Sequence, residues 1–562
     1  RQRANVAFGR GAGDSLTYLS PPTPGASQET AIPIGGLVSE LKFSRERGHY
    51  TRPFPLHLYT PTPGTDIFYT LDGSEPGPQR DTRYSRAIRI DGTTIVRAVA
   101  LREGWTSSPP VMHTYVFPSE VRHQKPPAGY PNRWGDDLPA DYRMDTNISD
   151  SRRNESELDQ ALRALPTLSI ALAPHDLFDP DSGIYMNTES DGVEWERPAA
   201  VDFLDPETNA SFTTAAGIRI QGRSSRRPRT TPKHSFRLLF KSDHGPGTLS
   251  FPLFGENGVQ EFNTLVLRAT SNYSWTFPLG EQRKQAVYVR DAWAKNSQRA
   301  MGHESPRSTF VHLFLNGLYS GVDAVSERPD AAFMSAHFGG QPEDYDVIKG
   351  SEVVAGDDRA WRTLLSMARS AEKNLSAYGR VVELLDVDNL IDYMILNHFA
   401  GNENWDYGNW YAARRREPGG KFQFFSWDME SILGRVGEHK VYVWHRDRPT
   451  DLNRTLLKVD AYRARYAERI QLHLTGDGAL TPGETSARLT RLANLLDEAI
   501  VAESARWGDY RLITHPYGTG PFLRYTRNTH WRPEVERLVT EYFPRRTDIV
   551  LDQYRQAGLV VD

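Results

Sequence analysis

The sequence predicts a multidomain protein in which a small β-sandwich is followed by an α+β domain with a helical C-terminal part. Three observations support this prediction. The chain has 562 residues, enough for roughly three or four domains of about 150 residues each. Short β-type runs give way to mixed strands and helices near residue 161. From Asn453 onward the pattern is mostly helical, with apolar residues at three- and four-residue spacing in Ala461–Leu474, Pro482–Trp507 and Trp531–Gln556.

The composition is that of a folded, loop-rich protein and excludes several classes. Hydrophobic residues make up 38% and charged residues 25%, with 44 Gly and 37 Pro. The net charge of -4 provides no general attraction to nucleic acid, so we expect no nucleic-acid partner. Cysteine is absent, which excludes disulfides, thiolate metal sites and a cysteine nucleophile. The sequence contains no apolar run long enough to span a bilayer.

Residues 1–42 are rich in turns, with Pro21, Pro22 and Pro24 close together. The stretch Tyr18–Gln28 resembles the closing segment of a lamin-tail immunoglobulin-like domain. We therefore expect residues 1–42 to be either the remnant of such an upstream domain or a plain linker.

Residues 43–118 consist of short β-type runs separated by turn signals, which predicts a small antiparallel β-sandwich. The sequences FYTLDGSEP (Phe68–Pro76) and TTIVRAVALREGWTSSP (Thr93–Pro109) resemble the β-sandwich appended to the C-terminus of chitobiases. The resemblance implies an accessory module found beside secreted bacterial catalytic domains. Residues 119–160 are polar and lack a sustained period, so they are predicted to be a linker or an extended segment that wraps over the next domain.

Aromatic residues of the predicted sandwich suggest a cell-surface polysaccharide as a partner of residues 43–118. Tyr69, Trp105 and Tyr115 could stack on sugar rings. The alternative, which we favour, is that these side chains fill the sandwich core or its edge.

A basic stretch, GIRIQGRSSRRPRTTPK (Gly217–Lys233), is a candidate anion site. It nearly matches a P-loop, but Pro228 and Pro232 oppose the helix that a P-loop requires. A strand, a basic turn and a second strand beginning near Lys233 are predicted instead. A solvated basic face is the alternative.

The stretch Phe310–Asp330 predicts a β-hairpin, because Asn316-Gly317 separates two apolar runs. Glu327 closes the second strand. Its carboxylate could orient a lysine or bind a metal, although an ordinary salt bridge with an arginine is favoured on this evidence alone.

The densest group of candidate functional residues lies in Asn397–Glu430. Asn404, Asp406 and Asn409 follow one another closely, and Asp428 ends an apolar strand. A carboxylate at the end of a buried strand, with an asparagine about twenty residues earlier, suits Mg²⁺ held against nucleotide phosphates, as in protein kinases. Chance clustering in a loop is the alternative.

From about Leu165 to the C-terminus the chain resembles the spore coat protein H (CotH) family of atypical secreted kinases. The similarity is carried by GIRIQGRSSRR, PKHSFR, LFLNGLYSGVDAVSERPD, GNENWDYGNWY, FFSWDME, VAESARWGD and YFPRRTDIVLDQYRQAGL. It implies a kinase-like core over residues 161–440 and a helical part of the same domain over residues 441–562. It also implies ATP and Mg²⁺ or Mn²⁺ as cofactors, phosphoryl transfer to Ser or Thr of a protein, and location outside the cell or on its surface.

The resemblance assigns roles to individual residues. It implies that Lys233 steadies the nucleotide phosphates and that Glu327 pairs with this lysine. Asp428 is the implied metal-binding aspartate, and Asn409 and Glu430 are further implied metal ligands.

The resemblance also suggests a set of nucleotide contacts around these residues. Arginines of the basic stretch and the following strand would contact phosphates, and two tryptophans would line the nucleotide site unless they serve in packing. These residues are Arg223, Arg226, Arg237, Trp405 and Trp410.

The chain departs from the family pattern where we expect Gly-Asn-x-Asp, because it reads Gly401-Asn402-Glu403-Asn404. An amide cannot accept a proton as a carboxylate does, so Asn404 in the catalytic position cannot act as a general base. Asp406 or Glu403 could substitute for the missing acid.

Three functions follow as hypotheses. The first is an ATP- and metal-dependent protein kinase acting on exported or cell-surface proteins. The second is a catalytically silent or repurposed nucleotide-binding pseudokinase, and the third is a surface glycan-binding or structural protein. On residue types alone, a glycosidase with Asp406 and Asp428 flanking a sugar also stays open.

Overall fold

The computed structural model describes residues 6–10, 16–20, 32–80, 82–135, 138–149, 152–256, 258–371, 375–514 and 517–560. Two compact units make up the chain. The first comprises Arg1–Ile220, Leu238–Leu249 and Val311–Gly321, and the second Gln221–Arg237, Ser250–Phe310 and Val322–Asp562. Most of the stretch compared above with a lamin-tail domain, from Pro21 to Gln28, lies outside the described residues.

The N-terminal region of the first unit consists of short strands, which confirms the prediction of a β-rich N-terminal region. The strands are β1 (Ala7–Arg10), β2 (Leu16–Ser20), β3 (Ile32–Ile34), β4 (Lys42–Phe43), β5 (Gly48–His49), β6 (Phe54–Leu56), β7 (Leu58–Tyr59), β8 (Asp66–Thr70), β9 (Ile88–Ile90), β10 (Thr94–Leu101) and β11 (Val111–Val116). β1, β2 and β3 form one sheet and β5-β11-β10-β8 another, while β4 pairs with β7 and β6 with β9. Alternate residues of these strands, such as Leu56 and Ile90, fill a common core.

The aromatic residues suggested for glycan stacking differ in their burial. Tyr115 is fully buried and packs edge-on against Phe54, with ring centroids 5.3 Å apart. It belongs to the core and presents no face to a sugar, so the packing alternative is correct for this residue. Trp105 carries the Arg102 guanidinium 4.1 Å above its ring centroid. Tyr69 packs edge-on against Tyr84 at 6.5 Å.

The rest of the first unit joins short helices to an antiparallel sheet. Its elements are α1 (Pro118–Val121), β12 (Arg133–Trp134), β13 (Leu138–Pro139), α2 (Thr146–Ser149), α3 (Arg152–Ala161), β14 (Thr167–Ala171), α4 (Pro174–Phe178), β15 (Arg197–Leu204) and β16 (Ser211–Gln221). β15 pairs antiparallel with both β14 and β16, and β14 also pairs in parallel with residues 312–315. β16 confirms the strand predicted before the basic turn.

Further along the chain, strands and helices mix. The elements are β17 (Ser235–Leu239), β18 (Leu249–Ser250), β19 (Glu261–Phe262), β20 (Thr264–Arg268), α5 (Gly280–Lys284), α6 (Arg290–Ala300), β21 (Ser308–Leu315), β22 (Leu318–Glu327), α7 (Ala331–Phe338), β23 (Tyr345–Lys349), β24 (Glu352–Ala355), α8 (Arg359–Ala371), α9 (Leu375–Leu384), α10 (Val387–Ala400), β25 (Trp410–Arg415) and β26 (Gln423–Ser426). The predicted Asn-Gly turn is confirmed: Asn316 and Gly317 have φ angles of 47° and 80° between β21 and β22.

In the second unit, β24-β23-β25-β26 form one antiparallel sheet in which β26 is at the edge. Buried side-chain amides satisfy the free backbone groups of this edge. Asn389 Oδ1 accepts from Phe424 N at 2.6 Å, and Gln298 accepts from Ser426 N and donates to Phe424 O. Since unpaired buried backbone groups are costly, these two amides fix the position of the strand that leads to Asp428.

The C-terminal part is helical, as predicted. Its helices are α11 (Pro449–Leu456), α12 (Asp460–Leu474), α13 (Pro482–Leu496), α14 (Ile500–Trp507), α15 (Arg532–Arg537) and α16 (Phe543–Gln556), with π-helical turns at Tyr510–Thr514, Arg527–Trp531 and Leu538–Tyr542. Two of these turns directly precede helices with a proline in the first turn, Pro533 and Pro544. Proline lacks the N–H of a regular helix, which explains why residues 531–556 alternate between α- and π-helical turns although the stretch is helical throughout, as predicted. Within the described ranges, none of the helices combines the length and the apolarity needed to cross a bilayer.

Candidate functional site

A cleft of about 290 Å³ in the second unit is lined mainly by polar and charged residues. They come from the turn after β16, the end of β20 and the loop that follows, the end of β23, the loop between α10 and β25, and the residues after β26. The side chains that matter for the chemistry below are Arg223, Arg268, Lys349, Asn404, Asn409, Asp428 and Glu430. The volume is near the lower limit for small-molecule sites, which suits part of a ligand such as its phosphate groups.

Asp428 lies two residues beyond β26 and has a φ angle of 58°, in the left-handed region. A non-glycine residue in this conformation costs about 1 kcal/mol or more, so neighbouring contacts must hold it there. Its carboxylate is ion-paired with Arg268, and the next backbone N–H, of Met429, donates to Asp291 Oδ1 at 2.9 Å. The side chain is 37% exposed and faces the cleft.

Glu430 also lines the cleft, but protein donors contact both of its oxygens. Arg268 Nη2 lies 2.8 Å from Oε1, and the backbone N–H groups of Ser271 and Asn272 donate to Oε2 at 2.9 Å. Burial raises the pKa of Glu430, with Arg268 opposing this shift. The carboxylate orients the loop after β20, so its expected role as a metal ligand is replaced by a positioning role.

Asn404 and Asn409 face the cleft from the loop between α10 and β25. Asn409 Nδ2 donates to the carbonyl oxygen of Asn404 at 3.1 Å, and Asn404 N donates to Asn402 Oδ1 at 3.1 Å. Since Asn409 uses its amide nitrogen within the loop, its amide oxygen is the atom left to bind a ligand. Asn409 and Asp428 thus bring hard oxygen ligands to one cleft, as the sequence predicted.

Lys349, which the sequence analysis did not select, lines the same cleft from the last position of β23. Burial lowers its pKa to about 8, while the charge of Asp428 opposes this shift. The ammonium group forms no ion pair among the described residues and lies 5.9 Å from the centroid of the Tyr411 ring. It is therefore available to an anion. The detectable signal was its place at the end of an apolar strand, immediately before Gly350.

Two glycines set the separation between the loops that carry Lys349 and Asn409. A Cβ atom on Gly350, whose φ angle is 60°, would lie 3.2 Å from the Cα of Gly408. A Cβ atom on Gly408 would in turn lie 3.3 Å from Arg223 Nη1. The two loops therefore approach backbone to backbone at Gly350, where the positive φ angle and the crowding against Gly408 both favour glycine.

The arginines predicted to contact phosphate divide into two groups. Arg223 lines the cleft and is ion-paired with Glu352, and both side chains are more than half exposed. Arg226 is buried, and Arg237 donates to Gln221 Oε1 at 2.9 and 2.6 Å. Neither Arg226 nor Arg237 lines the cleft, so of these three only Arg223 is placed to bind its ligand.

The predicted pair of Lys233 and Glu327 is wrong. The Lys233 ammonium is buried, lies 3.0 Å from Glu503 Oε1 and 3.4 Å from Asp323 Oδ1, and donates to Val322 O at 2.6 Å. Glu327 instead accepts from Arg307 N at 2.7 Å and contacts His337 Nε2 at 2.9 Å. The reason is that Lys233 precedes β17 in the interior of the unit, so Lys233 does not reach the cleft.

Asp406 is fully buried and turned away from the cleft, although its neighbours face it. Its carboxylate accepts from the Thr450 hydroxyl and contacts His445 Nδ1 at 3.3 Å. Burial raises its pKa to about 6. It therefore cannot replace the acid missing at Asn404, and it cannot flank a sugar together with Asp428, which removes the glycosidase hypothesis. Glu403 does not line the cleft either.

The two tryptophans predicted to line the nucleotide site are core residues. Trp405 is 4% exposed and donates from Nε1 to Tyr393 Oη at 3.1 Å. Trp410 is fully buried, and its ring centroid lies 5.6 Å from that of Trp361. The packing alternative is therefore correct for both. Trp427 and the largely exposed Tyr407 are the aromatic residues of the cleft.

The chemistry of the cleft fits a divalent metal bound by few protein ligands. Asp291, Asp428 and Glu430 contact two buried cations, Arg268 and Lys295, but the Asp428 side chain stays 37% exposed in the cleft. Within the described ranges, no group of three or more His, Asp or Glu side chains is arranged to hold a metal. Mg²⁺ commonly binds through one or two carboxylates together with water and substrate phosphates, so Asp428 and Asn409 satisfy its requirements.

Comparison with known protein families agrees with the sequence motifs. A family described as CotH kinase protein matches residues 218–549, which is more than half of the chain. The chain belongs to the CotH kinase family. Family membership indicates a kinase-like function for the region that contains the cleft. Residues 46–112 match the chitobiase/beta-hexosaminidase C-terminal domain. No curated protein matches the chain.

Proposed function

We propose that this CotH family member transfers the γ-phosphoryl group of ATP, with Mg²⁺ or Mn²⁺ bound, to Ser or Thr hydroxyls of an exported or cell-surface protein. One observation carries the proposal. A single cleft combines two oxygen ligands for a metal, Asp428 and Asn409, with two cations suited to phosphate, Lys349 and Arg223. Phosphoryl transfer depends mainly on such positioning and charge stabilisation.

Lys349 and Arg223 would bind the phosphate oxygens. Lys349 has no competing carboxylate at ion-pair distance among the described residues, and a lysine with a pKa of about 8 is protonated at neutral pH. Arg223 is paired with Glu352 on the surface, and exposed pairs of this kind contribute about 1 kcal/mol or less. A phosphate group can therefore take the place of Glu352 at little cost.

Asp428 and Asn409 would hold the metal, which when bound neutralises negative charge on the phosphates. Arg268, Glu430 and Asp291 keep Asp428 in its left-handed conformation and at the mouth of the cleft. A preorganised carboxylate does not have to be reoriented during the reaction, which lowers the barrier.

In the transfer step, the acceptor oxygen forms a bond to the γ-phosphorus while the bond between this phosphorus and the β–γ bridging oxygen breaks. ADP leaves with the electron pair of the broken bond, and the acceptor proton passes to water. The two carboxylates that line the described cleft, Asp428 and Glu430, are both bound to Arg268. We therefore assign no general base, and in a loose transition state the proton need not leave early.

A second function has an observation in its favour, namely the amide at position 404. A chain that binds nucleotide without transferring phosphate would keep Lys349 and Asp428 but could dispense with a carboxylate facing the acceptor. One experimental result separates this pseudokinase function from the kinase function: a pseudokinase binds nucleotide but forms no phosphorylated product.

The test is a calorimetric titration of ATP into the purified chain with and without Mg²⁺. We expect metal-dependent binding that weakens at least tenfold in Lys349→Met and Asp428→Asn. Lys421→Met is the matched control, since Lys421 is exposed in the turn between β25 and β26 and lies outside the cleft. Incubation with radiolabelled ATP and casein then separates the two functions. Equal ATP affinity in all three variants would overturn the proposed site.

A further inference from the structure

A second cavity in the same unit, of about 710 Å³, is lined by aromatic and apolar residues. It lies between residues 441–444, α11, the first turn of α12 and residues 557–559 at the end of the chain. Tyr442 is 68% exposed and Trp444 44% exposed. Large aromatic side chains that stay partly exposed around a groove are typical of surfaces that bind other proteins.

The groove also carries positive charge. The Arg454 guanidinium lies 4.6 Å from the centroid of the Trp444 ring and has no carboxylate partner among the described residues. Arg463 contributes a second cation and pairs with Asp460 on the exposed side of α12. Residues 435–463 contain seven Lys or Arg and four Asp or Glu, although the whole chain has a net charge of -4. Of these seven basic residues, Arg454 and Arg463 line the groove itself.

The groove is linked to the nucleotide cleft by side-chain contacts. Tyr407 lines the cleft, and its ring centroid lies 6.1 Å from that of His445. His445 N donates to the Thr450 hydroxyl at 3.0 Å, and Thr450 lines the groove. His445 and Thr450 therefore connect the groove to the cleft-lining Tyr407.

We propose that this groove docks the acceptor protein through an acidic segment that carries an apolar anchor residue. The apolar anchor would contact Tyr442, Trp444 and Leu559, and acidic residues beside it would pair with Arg454 and Arg463. This inference rests on the proposed kinase function and adds to it the chemical class of the acceptor. Charge complementarity of this kind speeds association and selects among partners.

Direct peptide binding tests the groove without requiring catalysis. The probes are three fluorescein-labelled dodecapeptides with a central Ser and one Leu, in which the other residues are mainly Glu, mainly Gln or mainly Lys. Anisotropy is measured without nucleotide at 50 and 300 mM NaCl. We expect the Glu peptide to bind most tightly, and less tightly at high salt because screening weakens exposed charge pairs.

Two variants locate the binding. Arg454→Gln and Trp444→Ala are each expected to weaken binding of the Glu peptide at least fivefold. Arg359→Gln, which removes an exposed arginine on α8 outside the groove, is expected to have no effect. Thermal unfolding of each variant verifies that the fold is retained. If the kinase proposal holds, Arg454→Gln also raises the KM for the Glu peptide while kcat stays unchanged.

Several outcomes would overturn the inference. These are equal binding of all three peptides, no binding of any of them, or loss of binding in Arg359→Gln as much as in Arg454→Gln. Self-association abolished by Trp444→Ala in sedimentation would assign the groove to a second copy of the chain instead. Failure of the kinase proposal has a different signature, since no phosphorylated product would then form, whether or not ATP binds, while the Glu peptide would still bind.

Discussion

Two clusters in the second unit each combine a lysine with carboxylates, yet they differ in almost every other respect. Lys233 is enclosed by Glu503 and Asp323, and the cluster is sealed from solvent. Lys349 stands in a cleft near Asp428 without an ion-pair partner among the described residues. A lysine suited to ligand binding is therefore one that the fold leaves without an ion-pair partner. The more conspicuous sequence motif, the basic stretch Gly217–Lys233, nevertheless ends at the buried lysine, Lys233.

The largest expected effect separates the two lysines by stability. Lys233→Met leaves Glu503 and Asp323 buried without their cation, so we expect a loss of about 3–5 kcal/mol in the free energy of unfolding. Urea unfolding measures this. In the double variant Lys233→Met/Glu503→Gln, part of the loss should be recovered because fewer buried charges are left uncompensated. A stable Lys233→Met protein that has lost ATP binding would reverse our assignment of the two lysines.

The closed cluster should also give stability a pH dependence. Burial raises the pKa of Asp323 to about 6 from its ordinary value of 3.8, with Lys233 opposing the shift. Because the folded state binds the proton more tightly than the unfolded state, this group destabilises the protein as the pH rises from about 4 to 6. Asp323→Asn removes this contribution, on the order of 2–3 kcal/mol above pH 6. Urea midpoints of wild type and variant between pH 4 and 8 should diverge with rising pH, and parallel curves would contradict the expectation.

In the open cleft, loss of the lysine should affect binding while leaving stability nearly unchanged. We expect Lys349→Met to weaken ATP·Mg²⁺ binding by about 1.5–3 kcal/mol, the usual range for a charged hydrogen bond. The melting temperature should change by only a few degrees, since Lys349 forms no ion pair within the described structure. Calorimetry and thermal unfolding of the same preparation test both parts. A large drop in melting temperature would give Lys349 the structural role that we assign to Lys233.

The smallest effect concerns the missing acid. Asn404→Asp introduces a carboxylate into the cleft where a general base would stand. If the acceptor proton is lost late, kcat should rise no more than about tenfold, or about 1.4 kcal/mol. Initial rates with the Glu peptide as acceptor measure the change. An inactive wild type together with an active Asn404→Asp variant would instead support the pseudokinase function.

Local sequence signals predicted much of the fold because they act over a few residues. Asn316-Gly317 fixed one turn by its preference for positive φ, and apolar periodicity placed α12 to within one residue of its start. The periodic stretch 482–507 is interrupted between α13 and α14, which periodicity alone does not reveal. Helical periodicity indicates which face of a helix is buried, but it does not show where one helix ends and the next begins.

The candidate site was predicted only in part, because it depends on which way neighbouring side chains turn. Asp428 and Asn409 were found, since a polar residue at a strand end or in a short loop is constrained by its own segment. Asp406 lies between Trp405 and the cleft-lining Tyr407, but its buried contact with Thr450 comes from 44 residues away. Lys233 was misassigned for the same reason, as Glu503 is 270 residues distant in sequence.

The close approach of Gly350 and Gly408 offers a criterion for recognising active relatives from sequence. A bulky residue at both positions would push the two loops apart and separate Lys349 from Asn409, the residues that we propose bind phosphate and metal. We therefore expect a relative that keeps Lys349, Asn409 and Asp428 but has lost both glycines to bind ATP·Mg²⁺ more weakly than this chain. This pair of small residues can be inspected in any newly sequenced member before protein is made.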